Sequence, residues 1–171
     1  TNIKIGDRVT ADINMSCGTC FYCRRGIKLM CHDFHQLGIH YDGSFSEYVK
    51  VPANQVHIIP DKLSFLQGAF VEPVSCVIHS ANAMNLKLGS NVAIIGGGLG
   101  IIHGLINKYR GASPVILIEP NEHRLQVAKK MGIDILINPN NCDPVDEVKK
   151  ITDGRGADYV IEAVGKKETY A

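Results

Sequence analysis

Cys17, Cys20, Cys23 and Cys31 follow one another as Cys-x2-Cys-x2-Cys-x7-Cys. Four soft thiolates this close in sequence suit one tetrahedral metal ion with no open coordination position. Such a site folds a loop and leaves nothing for a substrate to occupy. Zinc is the expected metal, because all-cysteine ligation is a common structural zinc pattern. An iron–sulfur cluster fits less well. The bacterial ferredoxin run has three residues before its last cysteine and a proline after it, whereas here seven residues precede Cys31 and His32 follows it. Disulfides or plain buried thiols are the other readings, disfavoured for disulfides by the lack of a secretory signal or a wider cysteine framework. Gly18 permits a sharp turn inside the cluster, and Gly26 follows the third ligand. Arg24, Arg25 and Lys28 would offset the double negative charge of a zinc tetrathiolate.

A second chemistry-bearing run is Gly96-Gly97-Gly98-Leu99-Gly100-Ile101. It lies between an apolar strand-like run and an apolar helix-like run, where a dinucleotide fingerprint must lie. Glycine there lets backbone approach a pyrophosphate, and the helix N-terminus offers free N–H groups and positive dipole. Gly96, Gly98, Leu99 and Gly100 are the candidate phosphate-binding positions. In strict Gly-x-Gly-x-x-Gly register the third glycine belongs at 101, but that residue is Ile; Gly100 arrives one position early. The loop reads as shortened by one residue, and phosphate affinity is the property this puts in question. Glu119 follows at about the 20-residue interval expected for a carboxylate that accepts ribose hydroxyls. Its charge would repel a 2′-phosphate by roughly 4 kcal/mol at 4 Å with an effective dielectric of 20. That favours NAD over NADP, with Arg124 one turn into the next helix as a partial offset.

The elements that must position these residues fall into two halves. Residues 1–75 read as all-β with a metal lobe. A turn at Gly6 leads into a strand through Val9, and Gly43 to Val51 alternates with period two, as a half-buried strand does. From about residue 76, strands and helices alternate. Strands are expected at Val92–Ile95, Val115–Ile118, Ile133–Ile137 and Tyr159–Val164. Helices are expected at Ile101–Tyr109, from an Asn121 cap to about Met131, and from an Asp143 cap with Pro144 at its first position. This alternation implies a doubly wound parallel sheet. Cys76 and Cys142 are read as structural, since free cysteine is usually a small buried hydrophobe.

Composition excludes other classes. The 171 residues are 45% hydrophobic with formal net charge +1, from 18 basic and 17 acidic side chains. That suits a soluble globular protein and gives no general attraction to nucleic acid or anionic membrane. No apolar run approaches the roughly 20 residues of a membrane span. Six cysteines, four of them in a metal cluster, point to a reducing compartment and so to the cytoplasm.

Taken together these motifs resemble a family. The four-cysteine lobe, the run Gly43 to Pro52, the stretch Val71-Glu72-Pro73-Val74-Ser75-Cys76-Val77-Ile78-His79 and the nucleotide half resemble the zinc-dependent medium-chain alcohol dehydrogenases. The likeness is greatest to the sorbitol (polyol) and threonine dehydrogenase branch. The resemblance implies an α/β protein in two parts: a partial GroES-like, β-rich catalytic domain over 1–75, and a partial Rossmann domain over 76–171. It implies NAD as cofactor, a structural zinc, and a catalytic zinc in the full-length protein with Glu72 at or near it. The implied reaction is oxidation of a secondary alcohol or polyol to a ketone, in a homo-oligomer when full-length. Implied partners are a small-molecule alcohol, with no nucleic acid or membrane. The resemblance also places the catalytic cysteine and a Gly-His-Glu segment upstream of Thr1, and two more sheet strands beyond Ala171. The chain therefore reads as an internal piece, inactive by itself. A non-catalytic zinc- and nucleotide-binding module is the rival reading.

Overall fold

A computed structural model describes residues 3–170. The chain divides between Glu72 and Pro73 into two compact units.

In the first unit, β1 (Val9–Ala11) follows the Gly6 turn. After β2 (Asn14–Met15) and β3 (His35–Gln36) comes β4 (Val56–Ile58). β1 pairs antiparallel with β4, and β2 with β3. The β2–β3 pair closes the base of the loop that carries the four cysteines. Gln36 Nε2 donates to Asn14 Oδ1 at 2.9 Å across that base. Arg8 ties β1 to the chain after β4: its guanidinium donates to the Asp61 and Leu63 carbonyls and lies 4.6 Å from the centroid of the Phe65 ring. Among the described residues of this unit the buried apolar side chains are few, namely Cys31, Leu37 and Ile59.

Two expectations fail here. Gly43 to Val51 forms no strand, and among the described residues no strand pairs with it. Phe45 and Tyr48 are 111% and 90% exposed. Period-two alternation makes a strand only where a neighbouring row of backbone groups is available. Instead Ser46 Oγ donates to the Gly43 and Tyr48 carbonyls, which bends the segment locally. Nor is the stretch up to residue 75 all-β. Helix α1 (Phe65–Ala69) and helix α2 (Val71–Met84) occupy its end. Ser64 and Gln67 form a reciprocal capping box at α1, a signal legible in the Ser-x-x-Gln spacing. On α2 the buried positions are Val77 and Ala81, one turn apart, so Cys76 beside them is exposed rather than buried.

The second unit holds a four-stranded parallel sheet. Its elements are β5 (Val92–Ile95), α3 (Leu99–Tyr109), β6 (Val115–Ile118), α4 (Glu122–Lys130), β7 (Ile135–Ile137), α5 (Pro144–Ile151) and β8 (Tyr159–Glu162). The order is β7-β6-β5-β8 and all pairings are parallel. The expected elements are all present. The differences are at boundaries: α3 starts two residues early, β7 starts two residues late, and β8 stops at Glu162. β5 and β6 read as continuous apolar runs because both sheet faces are covered. Val92, Ile94, Val115 and Leu117 pack into one core with Ile101, Ala128 and Ile133; Ala93 and Ile116 pack into another with Val148 and Ile137. Asn121 and Asp143 cap α4 and α5 by accepting backbone N–H groups.

One register device was invisible in the sequence. Asn91 N donates to Asp158 Oδ2 at 2.9 Å, and Asp158 N donates to Asn91 Oδ1 at 2.8 Å. This reciprocal pair joins the chain just before β5 to the chain just before β8. It fixes the β5–β8 register at the end of the sheet opposite the glycine turn. Strand order reverses at β5, so the loops after β5 and β8 flank a topological switch point, where open α/β sheets bind ligands.

Candidate functional site

The cysteine lobe is built from short turns. Two 3₁₀ turns, Cys23–Arg25 and Lys28–Met30, follow the tight bends after Cys17 and Cys20. Gly26 ends the first turn at φ 77°, a left-handed conformation that a side chain would strain, and its N–H donates to the Cys23 carbonyl. Backbone amides converge on the sulfurs. Cys20 N donates to Cys17 Sγ at 3.4 Å, and Cys23 N to Cys20 Sγ at 3.5 Å. Cys17 N and Asp33 N each donate to Cys31 Sγ at 3.4 Å. All four sulfurs lie within 4.8 Å of one another; the Cys17–Cys23 and Cys20–Cys31 pairs are 3.9 Å apart. A tetrahedron with ~2.3 Å metal–sulfur bonds needs sulfurs about 3.8 Å apart. The donor set therefore fits a zinc ion with little rearrangement.

The electrostatics of the lobe agree with thiolate ligation. Bonds from the Thr19 backbone and side chain bring the Cys17 thiol down to about 6. The Cys23 amide lowers Cys20 as well. Cys31 is pulled down by the Cys17 amide, but burial and the neighbouring Cys17 and Cys23 thiols outweigh that and raise it to about 11. Crowded sulfurs without a cation cannot all ionise, which is the condition a divalent ion relieves. Arg25 stacks at 4.0 Å from the Phe21 ring centroid, so it lies on the lobe surface.

The nucleotide candidates gather around a cavity of about 940 Å³ at the switch point. It is lined by Gly96, Gly97, Gly98, Glu119, Arg124 and Lys149, among others. Each glycine has its own reason. Gly96 has φ 99°, and a Cβ there would lie 2.6 Å from Val164 Cγ2, in the loop after β8. A Cβ on Gly98 meets nothing within 4 Å, so this residue presents open backbone. Gly98 is also the N-cap of α3 with no side-chain cap, and Leu99 opens the helix with half its surface exposed. A Cβ on Gly100 would lie 2.9 Å from Ile94 Cγ2. Gly100 therefore supplies the close helix–strand packing expected of the third glycine, although it arrives one residue early.

Glu119 is only 2% exposed. Its Oε2 accepts Gly97 N at 2.5 Å and faces Arg124 Nη1 at 3.5 Å; its Oε1 accepts Asn121 N at 2.8 Å. The structure brings Glu119, Arg124 and the glycine turn together. Gly97, which the motif reading passed over, is the link between them. The facing wall comes from the turn after β8, where the Glu162 carboxylate accepts Val164 N, Gly165 N and the Thr169 hydroxyl. The Thr169 hydroxyl and these amides hold Glu162 below its usual carboxylate range. Thr169 and Lys166 line the cavity.

Glu72 stands exposed in the first turn of α2. Among the described residues, the cysteine cluster is the one group of three or more ligand-type side chains that could hold a metal, and Glu72 is not in it. No described helix is long and apolar enough to cross a membrane.

Comparisons with known proteins follow the same division. Residues 1–61 match the model of the alcohol dehydrogenase GroES-like domain, and residues 98–171 that of the zinc-binding dehydrogenases. The chain is 38% identical over 164 residues to the sorbitol dehydrogenase of Bacillus subtilis, covering 95% of this chain and 46% of that one. It is also 38% identical over 164 residues to the L-threonine 3-dehydrogenase of Pyrococcus abyssi, covering 95% and 47%. The structure matches a zinc-binding dehydrogenase from Sinorhizobium meliloti bound to NADP, with TM-score 0.89, 36% identity, and coverage of 99% of this chain and 51% of that one. The chain thus spans about half the length of the curated relatives it matches.

Proposed function

The chain belongs to the zinc-dependent medium-chain alcohol dehydrogenases, and from that premise we propose that it supplies the nucleotide site and the structural zinc lobe of an NAD-linked alcohol or polyol dehydrogenase. One observation carries the reading: the buried Glu119 carboxylate sits against the glycine turn, inside the cavity at the switch point. In this reading residues 1–75 are the GroES-like part and 76–171 the Rossmann part.

The roles follow from position. Gly96, Gly98, Leu99 and Gly100 present the turn and the open end of α3 to the pyrophosphate, whose charge the helix dipole favours. Glu119 meets the adenosine ribose and disfavours a 2′-phosphate, and Arg124 beside it moderates that preference. Cys17, Cys20, Cys23 and Cys31 hold a zinc that organises the lobe. Glu72 is assigned to a second zinc. A zinc there would polarise the alcohol oxygen as a Lewis acid. A bound nicotinamide would accept hydride from the carbinol carbon while the hydroxyl proton leaves, which would turn a secondary alcohol into a ketone.

The similarity to an L-threonine 3-dehydrogenase equals that to a sorbitol dehydrogenase, so the two substrates are tested side by side. The intact protein is assayed for reduction of NAD and NADP with sorbitol and with L-threonine. Turnover with NAD exceeding that with NADP by tenfold or more is expected. Equal use of both cofactors would show that Arg124 cancels Glu119. Zinc and nucleotide binding without turnover on either alcohol would favour the non-catalytic module.

A further inference from the structure

We propose that Glu119 holds the shortened glycine turn in its phosphate-receiving shape, a positioning role that precedes any contact with ribose; this rests on the nucleotide-site reading above. The β5–β6 ladder ends at the Ile95–Ile118 pair, and Gly96 N adds one more bond, to the Ile118 carbonyl at 2.8 Å. Gly97 N then donates to Glu119 Oε2 at 2.5 Å. The side chain thus continues the ladder one rung past the strand ends, into the turn itself. Glu119 is fixed on its own side too. Its N–H donates to the Ile137 carbonyl at 3.0 Å, and its Oε1 accepts Asn121 N at 2.8 Å.

Two further facts support the role. A Cβ on Gly97 would lie 2.7 Å from Glu119 Oε2 and 2.9 Å from its Cγ, so only glycine leaves room for the bond. A carboxylate offers about four acceptor sites. Gly97 N, Asn121 N and Arg124 Nη1 engage three of them, which leaves the ribose diol a small share. A turn with one residue fewer before Gly100 has a tightly set path, and the carboxylate sets it.

The test separates turn from ribose with two ligands, ADP and 2′,3′-dideoxy-ADP, titrated into the intact protein. Glu119→Ala is expected to weaken both by about tenfold or more, the loss typical of a hydrogen bond to a charged group. Gly97→Ala keeps the carboxylate but denies it the close approach, and is expected to weaken both ligands likewise. If Glu119→Ala weakens ADP alone and leaves dideoxy-ADP unchanged, Glu119 is a ribose ligand only and the proposal falls. Hydrogen exchange of residues 96–98 in the unliganded protein gives an independent readout. Faster exchange there in Glu119→Ala, with β5 and α3 unchanged, supports the peg; unchanged exchange at 96–98 overturns it. Should the wild type bind neither ligand, the nucleotide-site reading fails, and the exchange result still decides the peg.

Discussion

Single side chains set both candidate sites, and each can be tested by its removal. Sulfur spacing in the lobe matches a tetrathiolate, so zinc should be found at one equivalent per chain by elemental analysis of the intact protein. Cys20→Ser should lose most of it, because Cys20 contributes one of the four clustered sulfurs and accepts the Cys23 amide. Iron with a charge-transfer spectrum would overturn the assignment. Asp134 is a second residue with a measurable signature. Burial opposes its ionisation, but the Lys108 ammonium and the Val115 N–H outweigh burial and hold its carboxyl below the usual range. A depressed folded value means that its stabilisation is present above the unfolded value, about 4, and is lost as pH falls through the folded one. Asp134→Asn should therefore lower the urea midpoint at neutral pH and flatten its fall below about pH 4. An identical acid limb in the variant would show that other carboxylates dominate.

At the level of elements, the critical contact is between α3 and the sheet. Gly100 lets the helix approach β5 until a single added carbon would meet Ile94 Cγ2 at 2.9 Å. Ile94 is fully buried and β-branched, so it has little room to turn away. Gly100→Ala should cost about 1–3 kcal/mol by overpacking, read as a lower denaturation midpoint at unchanged slope. A neutral result would mean that α3 can slide outward at no cost. The Asn91–Asp158 pair acts at the opposite end of the same strands. Asn91 is buried, and each partner satisfies the other's backbone N–H. Losing one side chain strands a polar backbone group at a sheet end, which is destabilising by about 1–3 kcal/mol. Asp158→Ala should show that loss in the same urea titration.

For the molecule as a whole, the two units differ in what holds them. Residues 73–170 carry two packed apolar clusters. Residues 3–72 bury few apolar side chains and hold together through short strand pairs and the cysteine lobe. A chelator should therefore open hydrogen exchange across residues 3–72 and leave β5, β6 and β8 protected. Uniform loss across both units would refute this. Residues 1–171 expressed alone should also self-associate on size exclusion. Among the described residues β8 has a neighbour on one side only, and Val160 on it is 61% exposed. Local chemistry determined much of this from sequence alone: ligand spacing for the lobe, apolar runs for the parallel strands, and Asn121 and Asp143 for the helix starts. These signals act over a few residues, so a sequence carries them intact. Tertiary structure decided the rest, because long-range partners settle it. Gly43 to Val51 alternates as a strand does, yet without a paired neighbour it stays bent and exposed. Cys76 was placed outside by the choice of Val77 and Ala81 as the inward face. The bond from Gly97 to Glu119 joins residues far apart in the chain, and it exists only because parallel pairing of β5 and β6 brings their ends side by side.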